Sequence, residues 1–142
     1  NQDLRSERII HHDYIERREE IDKLYAEAKA LTYVSDREAF GLPPMEALSF
    51  GVPPIIMDNE LGHELFGEFS FYAESSDEEK IAEAIRKALT DTEKINTIRN
   101  FGSEFVKKYR WKNFAGRFFG SILSWKERKV FLKSEKSFCA MP

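Results

Sequence analysis

Glu38 and Glu46 stand with seven residues between them, and the stretch they enclose, Ala39-Phe40-Gly41-Leu42-Pro43-Pro44-Met45, reads as a turn that opens a helix. An ionised carboxylate accepts several hydrogen bonds at once, which suits the vicinal hydroxyls of a sugar or a ribose. Backbone N–H groups at a helix start suit an anionic phosphate. Gly41 allows a ligand to approach the backbone without meeting a side chain. Pro43 and Pro44 fix φ in the first helical turn, where a missing N–H costs nothing. An acid at each end of such a turn fits a polyol joined to a phosphate, the chemistry of a sugar nucleotide. The structural alternative is a Gly/Pro turn bearing two solvated acids.

Those residues need a scaffold on either side. Ala30–Ser35 (ALTYVS) reads as a buried strand entering the turn, and Pro44–Phe50 as the helix leaving it. Gly51 is its C-terminal stop. Val52–Met57 is an apolar run with the strand proper at Pro54–Met57, Pro54 being tolerated at a strand start. Before the turn, Arg8–His11 reads as a short strand. Arg18–Ala28 follows as a helix with Ile21, Leu24, Tyr25 and Ala28 on one stripe. After it come a short helix near His63–Phe66 and a strand at Phe69–Ala73. Next is a helix capped by Ser76, with Glu79 completing a capping box and Ile81, Ala84, Ile85 and Ala88 facing inward. Thr92–Lys108 and Lys112–Lys126 read as two more helices, and the residues from about Lys133 as a frayed end. Strands alternating with helices predict an α/β fold, a Rossmann-like parallel sheet flanked by helices.

The chain has 142 residues, a formal charge of −3 and 42% apolar residues, enough for one domain with a real core. No apolar run approaches the roughly 18 residues of a membrane span, and no signal-peptide pattern is visible. The single Cys139 excludes an internal disulfide and points to a reducing cytoplasm. A start at Asn1 rather than Met reads as a piece of something longer. Charge is uneven: residues 1–104 hold 12 Lys/Arg against 23 Asp/Glu, and residues 105–142 hold 10 against 2. The basic third is rich in aromatic side chains, which predicts an anionic or acidic neighbour.

Other chemistry-bearing groups are weaker. His11-His12-Asp13 contains metal-ligand types, but neighbours on a strand point to opposite faces and do not share an ion. His63 and Glu64 follow Gly62 at the carboxyl end of a strand, where α/β ligands bind, and otherwise serve the short helix. Asp77-Glu78-Glu79 suits a helix N-terminus. Cys139 lacks a His/Asn context and reads as inert.

The run from Glu38 to Ile56, E-A-F-G-L-P-P-M-E-A-L-S-F-G-V-P-P-I-I, resembles the E-x7-E signature of retaining GT-B glycosyltransferases of the family 4 type (glycosyl transferases group 1). That family's pattern reads roughly E-G-F-G-L-P-x-x-E-A-x-x-x-G-x-P-V-I. Ala39 replaces a common Gly and Pro54 a common Val. The resemblance extends from about Ile9 to Trp125 and implies a partial C-terminal, donor-binding lobe over residues 1–132, with a tail at 133–142. It implies that Glu38 bonds hydroxyls of the transferred sugar at the catalytic centre and that Glu46 chelates the ribose. Phe40, Gly41 and Leu42 would bring backbone N–H groups to sugar and phosphate beside Pro43, and the loop through Tyr14 and Ile15 would lie against the base.

The family sheet has strand order 3-2-1-4-5-6, and the strands here resemble the third to sixth. The first two, with their diphosphate-holding Arg and Lys, and the acceptor lobe are expected elsewhere. The implied reaction passes a sugar from a nucleotide diphosphate sugar to an acceptor with its anomeric configuration kept. No metal or other cofactor is expected, nor any nucleic acid, and the piece alone would be inactive. A cytoplasmic protein follows, with peripheral contact between the basic helix and anionic lipid at the inner face of the membrane. The alternative is a noncatalytic nucleotide-sugar-binding or interaction module.

Overall fold

The computed structural model describes residues 9–35 and 37–138, with side chains placed as far as Trp125. Two compact units are present, one through Ser103 and one from Glu104. The first is built on three short parallel strands, β1 (Leu31–Tyr33), β2 (Pro54–Met57) and β3 (Phe71–Ala73), in the order β1-β2-β3. Thr32 pairs with Ile55, and Ile56 with Tyr72, so the three strand ends lie side by side. Helices α1 (Arg18–Glu27), α2 (Leu42–Ser49), α3 (Glu60–Phe66) and α4 (Glu78–Thr90) alternate with them, and α5 (Thr92–Val106) follows. This is the Rossmann-like parallel sheet flanked by helices that the alternation predicts.

The core lies where β2 meets α2 and α4, with α5 packed against α2. Leu48, Ile55 and Ile98 are wholly buried, joined by Val52, Phe66, Phe71, Ala84 and Ala88. Ser70 is the one buried polar residue among the described residues, and its hydroxyl donates to the Pro54 carbonyl at 3.0 Å. The proline can therefore open β2 without a stranded acceptor. At Gly102 of α5 the backbones come so close that a Cβ would sit 2.9 Å from the Leu48 carbonyl oxygen. Gly51, at φ 71°, ends α2 as expected.

The structure corrects several boundaries. Ile9, Ile10 and His11 form no strand, since among the described residues no neighbouring strand offers them a ladder; Arg8 lies outside the described residues. Helix α2 starts at Leu42, placing both prolines inside the first turn. Helix α4 starts at Glu78 with Asp77 rather than Ser76 in the N-cap position and no side-chain capping bond, so the Ser76–Glu79 box does not form. The Ser75 hydroxyl donates instead to the Asp77 carboxylate at 3.0 Å, a tight turn that moves the helix start along by one residue. Its inward residues are as predicted, with Ala84 and Ala88 buried.

The second unit holds a 3₁₀ turn, Lys107–Tyr109, and helix α6 (Trp111–Phe138). The helix continues past the expected frayed start at Lys133, and Cys139 lies outside the described residues. The Lys108 ammonium sits 3.7 Å from the Phe105 ring centre. Trp111, Phe114 and Phe118 form a run of ring contacts along one side of α6 at about 6 Å spacing. All three remain exposed. Among the described residues, no helix is long and apolar enough to cross a membrane.

Candidate functional site

Parallel strands deliver their following loops to one sheet edge, and that edge is where open α/β sheets bind ligands. Here the loop after β1 meets the loop after β2 and the start of α3. A cleft between them is lined by Tyr33, Glu38, Phe40, Gly41, Asn59 and Gly62 over an apolar floor that includes Ile56 and Phe66. Outside it, Arg37, Glu38, Ala39, Asn59, Glu60 and Leu61 border a more open groove. Glu38 therefore stands on the rim that the cleft and groove share.

Local rules explain this placement. Gly41 caps α2 at φ 74°, a left-handed conformation that strains any side chain. Space is not the constraint within the chain, because a Cβ there would meet Phe66 at an ordinary 3.5 Å. Conformation rather than crowding thus demands the glycine. The prolines take N2 and N3, which leaves Leu42 as the single N–H donor of the first three helical residues. This helix start offers an anion fewer donors than most. Asn59 caps α3 by accepting the Gly62 N–H at 2.8 Å, which fixes the loop opposite Glu38.

The Glu38 carboxylate accepts the Tyr33 hydroxyl, which holds that phenol above its ordinary pKa. Phe40 is half-buried and Gly41 buried, both on the cleft, whereas Leu42 is exposed and outside it. Pro43 is half-buried beside α1, its carbonyl 3.5 Å from the Tyr25 hydroxyl.

Glu46 is not on the cleft. It faces α1, where Arg18 donates to one carboxylate oxygen at 2.6 Å and the Tyr25 hydroxyl to the other at 3.1 Å. The carboxylate raises the Arg18 pKa, with Asp22 contributing. Burial, then the neighbouring Glu46 charge, pushes Tyr25 up to about 12, so its hydroxyl remains a donor. The two signature carboxylates, one in the turn before α2 and one within α2, thus have different partners, a phenol from the sheet for Glu38 and a guanidinium with a phenol from α1 for Glu46.

The structure does not bring His63 and Glu64 to the cleft. The His63 imidazole lies 2.7 Å from the Asp58 carboxylate and stacks on Tyr72 at 4.1 Å. Glu64 is exposed. His11 and Asp13 are exposed, 3.9 Å apart. Among the described residues, no group of three His, Cys, Asp or Glu gathers at metal-binding spacing. Sequence reasoning missed Arg18, Tyr25, Tyr33 and Asn59. The Asn59-to-Gly62 spacing was a legible cap signal; the Arg18–Glu46 contact spans 28 positions and carries no local signal.

Comparison with known proteins now adds identity to geometry. Residues 3–105 match the family described as glycosyl transferases group 1, and the chain belongs to that family. It is 32% identical over 94 residues to the O-antigen chain mannosyltransferase RfbU of Salmonella typhimurium, covering 66% of this chain and 26% of that protein. It is 33% identical over 97 residues to O-antigen chain mannosyltransferase B of Escherichia coli, covering 67% and 25%. The serotype-specific mannosyltransferase WbdA of Escherichia coli is 30% identical over 124 residues, covering 81% and 15%. The chain thus spans about a quarter or less of the length of these relatives. No solved structure matches it.

Proposed function

We propose that this chain is the donor-binding part of a retaining, metal-independent GT-B glycosyltransferase of the family 4 type. It would hold a nucleotide diphosphate sugar and present the sugar to an acceptor bound by a further lobe. The observation that carries the reading is the rim position of Glu38, over a cleft at the carboxyl ends of parallel strands in a group 1 chain. Mannose is the sugar to test first, because the similar proteins are named as mannosyltransferases.

Glu38 receives the sugar hydroxyls, with Phe40 and Gly41 beneath them, and its charge supports the positive charge that develops on the ring during transfer. Glu46 receives the ribose hydroxyls. Leu42 and Pro43 form the turn between the two, where Gly41 and Leu42 supply N–H groups to phosphate. The leaving diphosphate needs cations that this stretch does not supply, so turnover belongs to a longer protein that does. The exposed aromatic and basic helix α6 is the part suited to peripheral contact with anionic lipid.

The test is calorimetric titration of nucleoside diphosphates and their mannose conjugates. Glu46→Gln is expected to weaken the free diphosphate by about 1.5–3 kcal/mol, the worth of a charged hydrogen bond. Glu38→Gln is expected to leave the free diphosphate nearly unchanged and, in a protein carrying the acceptor lobe, mainly to lower kcat. Equal losses for both variants, or none for either, would overturn these roles.

A further inference from the structure

The Glu46 carboxylate is held from both sides. Arg18 occupies one oxygen and the Tyr25 hydroxyl the other. Neither partner is loose. Arg18 is braced by a second bond, from Nε to Asp22 at 2.7 Å, one turn further along α1. Tyr25 stacks on Phe50 with ring centres 5.6 Å apart and planes 19° apart. The group is half-buried, not sequestered: the Arg18 side chain is 54% exposed and that of Glu46 34%.

A carboxylate has roughly four lone-pair sites across its two oxygens. One donor on each oxygen leaves about one acceptor site on each. Two such sites side by side match two neighbouring hydroxyls. A surface glutamate without partners divides its time among several rotamers, and a diol would have to order it on binding. With the rotamer already fixed, that cost is removed beforehand. The contact pair also explains why a helix with no fully buried residue and no side-chain cap is tied to α2 here.

We propose that Arg18 and Tyr25 are positioning residues for Glu46, holding its carboxylate in one orientation with an acceptor site on each oxygen left open for the cis-diol of a nucleotide ribose. This inference rests on the donor-binding reading of Glu46 given above. Arg18 does its work through the carboxylate, not through the phosphates. Its signature is therefore selectivity for ligands that carry the diol.

The test titrates adenosine, guanosine, uridine and cytidine diphosphates onto the chain by calorimetry, then repeats the tightest with its 2′,3′-dideoxy counterpart. Arg18→Met and Tyr25→Phe are each expected to weaken the ribonucleotide about five- to tenfold, the scale of a lost charge-assisted contact. The same variants should shift the dideoxynucleotide less than about twofold, since it makes no diol contact. Arg18→Lys, which keeps the charge and loses the planar fork, should fall between. Thermal melting of each variant separates this from loss of fold.

Equal weakening of both nucleotides by Arg18→Met would mean a phosphate contact or a general structural role, and would overturn the positioning role. An unchanged or tighter ribonucleotide would mean that Arg18 competes with the ligand, and would overturn it too. Both results leave the donor-binding reading standing. Failure of the unaltered chain to bind any of the four diphosphates defeats that reading itself, and the positioning role with it.

Discussion

In the unit through Ser103, helix stripes end in a core: Leu48 and Ile98 are wholly buried against a sheet whose Ile55 is wholly buried too. In the unit from Glu104, the same helical spacing leads to no core among the described residues. Trp111, Phe114, Phe118, Phe119 and Trp125 of α6 are between 51 and 83% exposed. The two regions also differ in charge, the first acidic and the second basic. Apolar periodicity identifies the face of a helix that seeks cover, and says nothing of what provides it. In the first unit the cover is intramolecular, and it fixes the loops that frame the cleft. The aromatic side of α6 has the composition of an interface, in which apolar anchors alternate with cations.

One substitution type should act with opposite sign in the two regions. Gly102→Ala adds a methyl group 2.9 Å from the Leu48 carbonyl oxygen, where backbone rather than a flexible side chain must move. Overpacking of this kind costs about 1–3 kcal/mol, to be read from the midpoint of urea unfolding. Gly116→Ala meets no atom within 4 Å. It should stabilise α6 by about 0.5–1 kcal/mol through the lower backbone entropy of alanine, read as greater helical circular dichroism. Equal signs at both positions would break the comparison, because they would mean that α6 is packed as tightly as α5.

The next largest effect concerns what covers α6. If its cover is anionic lipid, vesicles containing acidic phospholipid should bind the chain and neutral vesicles should not. Each Lys or Arg near such a surface contributes about 1 kcal/mol, screened over roughly 10 Å at 0.1 M salt. Sedimentation with vesicles at low and high salt is the measurement, repeated with Trp111→Ala and Phe118→Ala to remove the apolar anchors. Equal binding to neutral vesicles at any salt would show that the apolar anchors and not the charge drive the contact, and binding to none would remove lipid as the cover of this face.

The contrast also explains what could be read in advance. Elements whose burial is local were legible: the apolar run of β2, Gly51 at the end of α2, and the inward alanines of α4 all follow from spacing and turn chemistry. The strand, turn and helix that carry Glu38 followed as well, since they are consecutive in sequence. Errors arose where a neighbour decides. Ile9 and Ile10 have strand-like character, but a strand exists only beside another strand. Ser76 is not the N-cap, because Ser75 bonds both the carboxylate and the N–H of Asp77 and the helix begins one residue later. The partners of Glu46 come from a helix 28 and 21 positions earlier, and no period in the sequence encodes that meeting.

The smallest expected effect reports burial in the first unit through its phenols. Tyr72 is pushed up to about 12, chiefly by burial and then by the Asp58 charge, and Tyr25 reaches about 12 by burial and then by Glu46. An unfolded tyrosine titrates near 10. Between about pH 10 and 12 the unfolded chain therefore holds fewer protons on these groups than the folded chain, and stability falls as pH rises. Their contribution is complete below about pH 10 and is lost as pH passes 12. Ultraviolet titration at the phenolate band should show two phenols titrating near 12, each removed by its own Phe substitution, beside Tyr33, which its bond to Glu38 also shifts upward. Glu46→Gln should bring the Tyr25 phenol down without returning it to its ordinary value, because burial, the larger cause, remains. Ordinary titration of Tyr72 in the folded chain would show that the β3 face is as open as α6, and the distinction between the two units would fail at that strand.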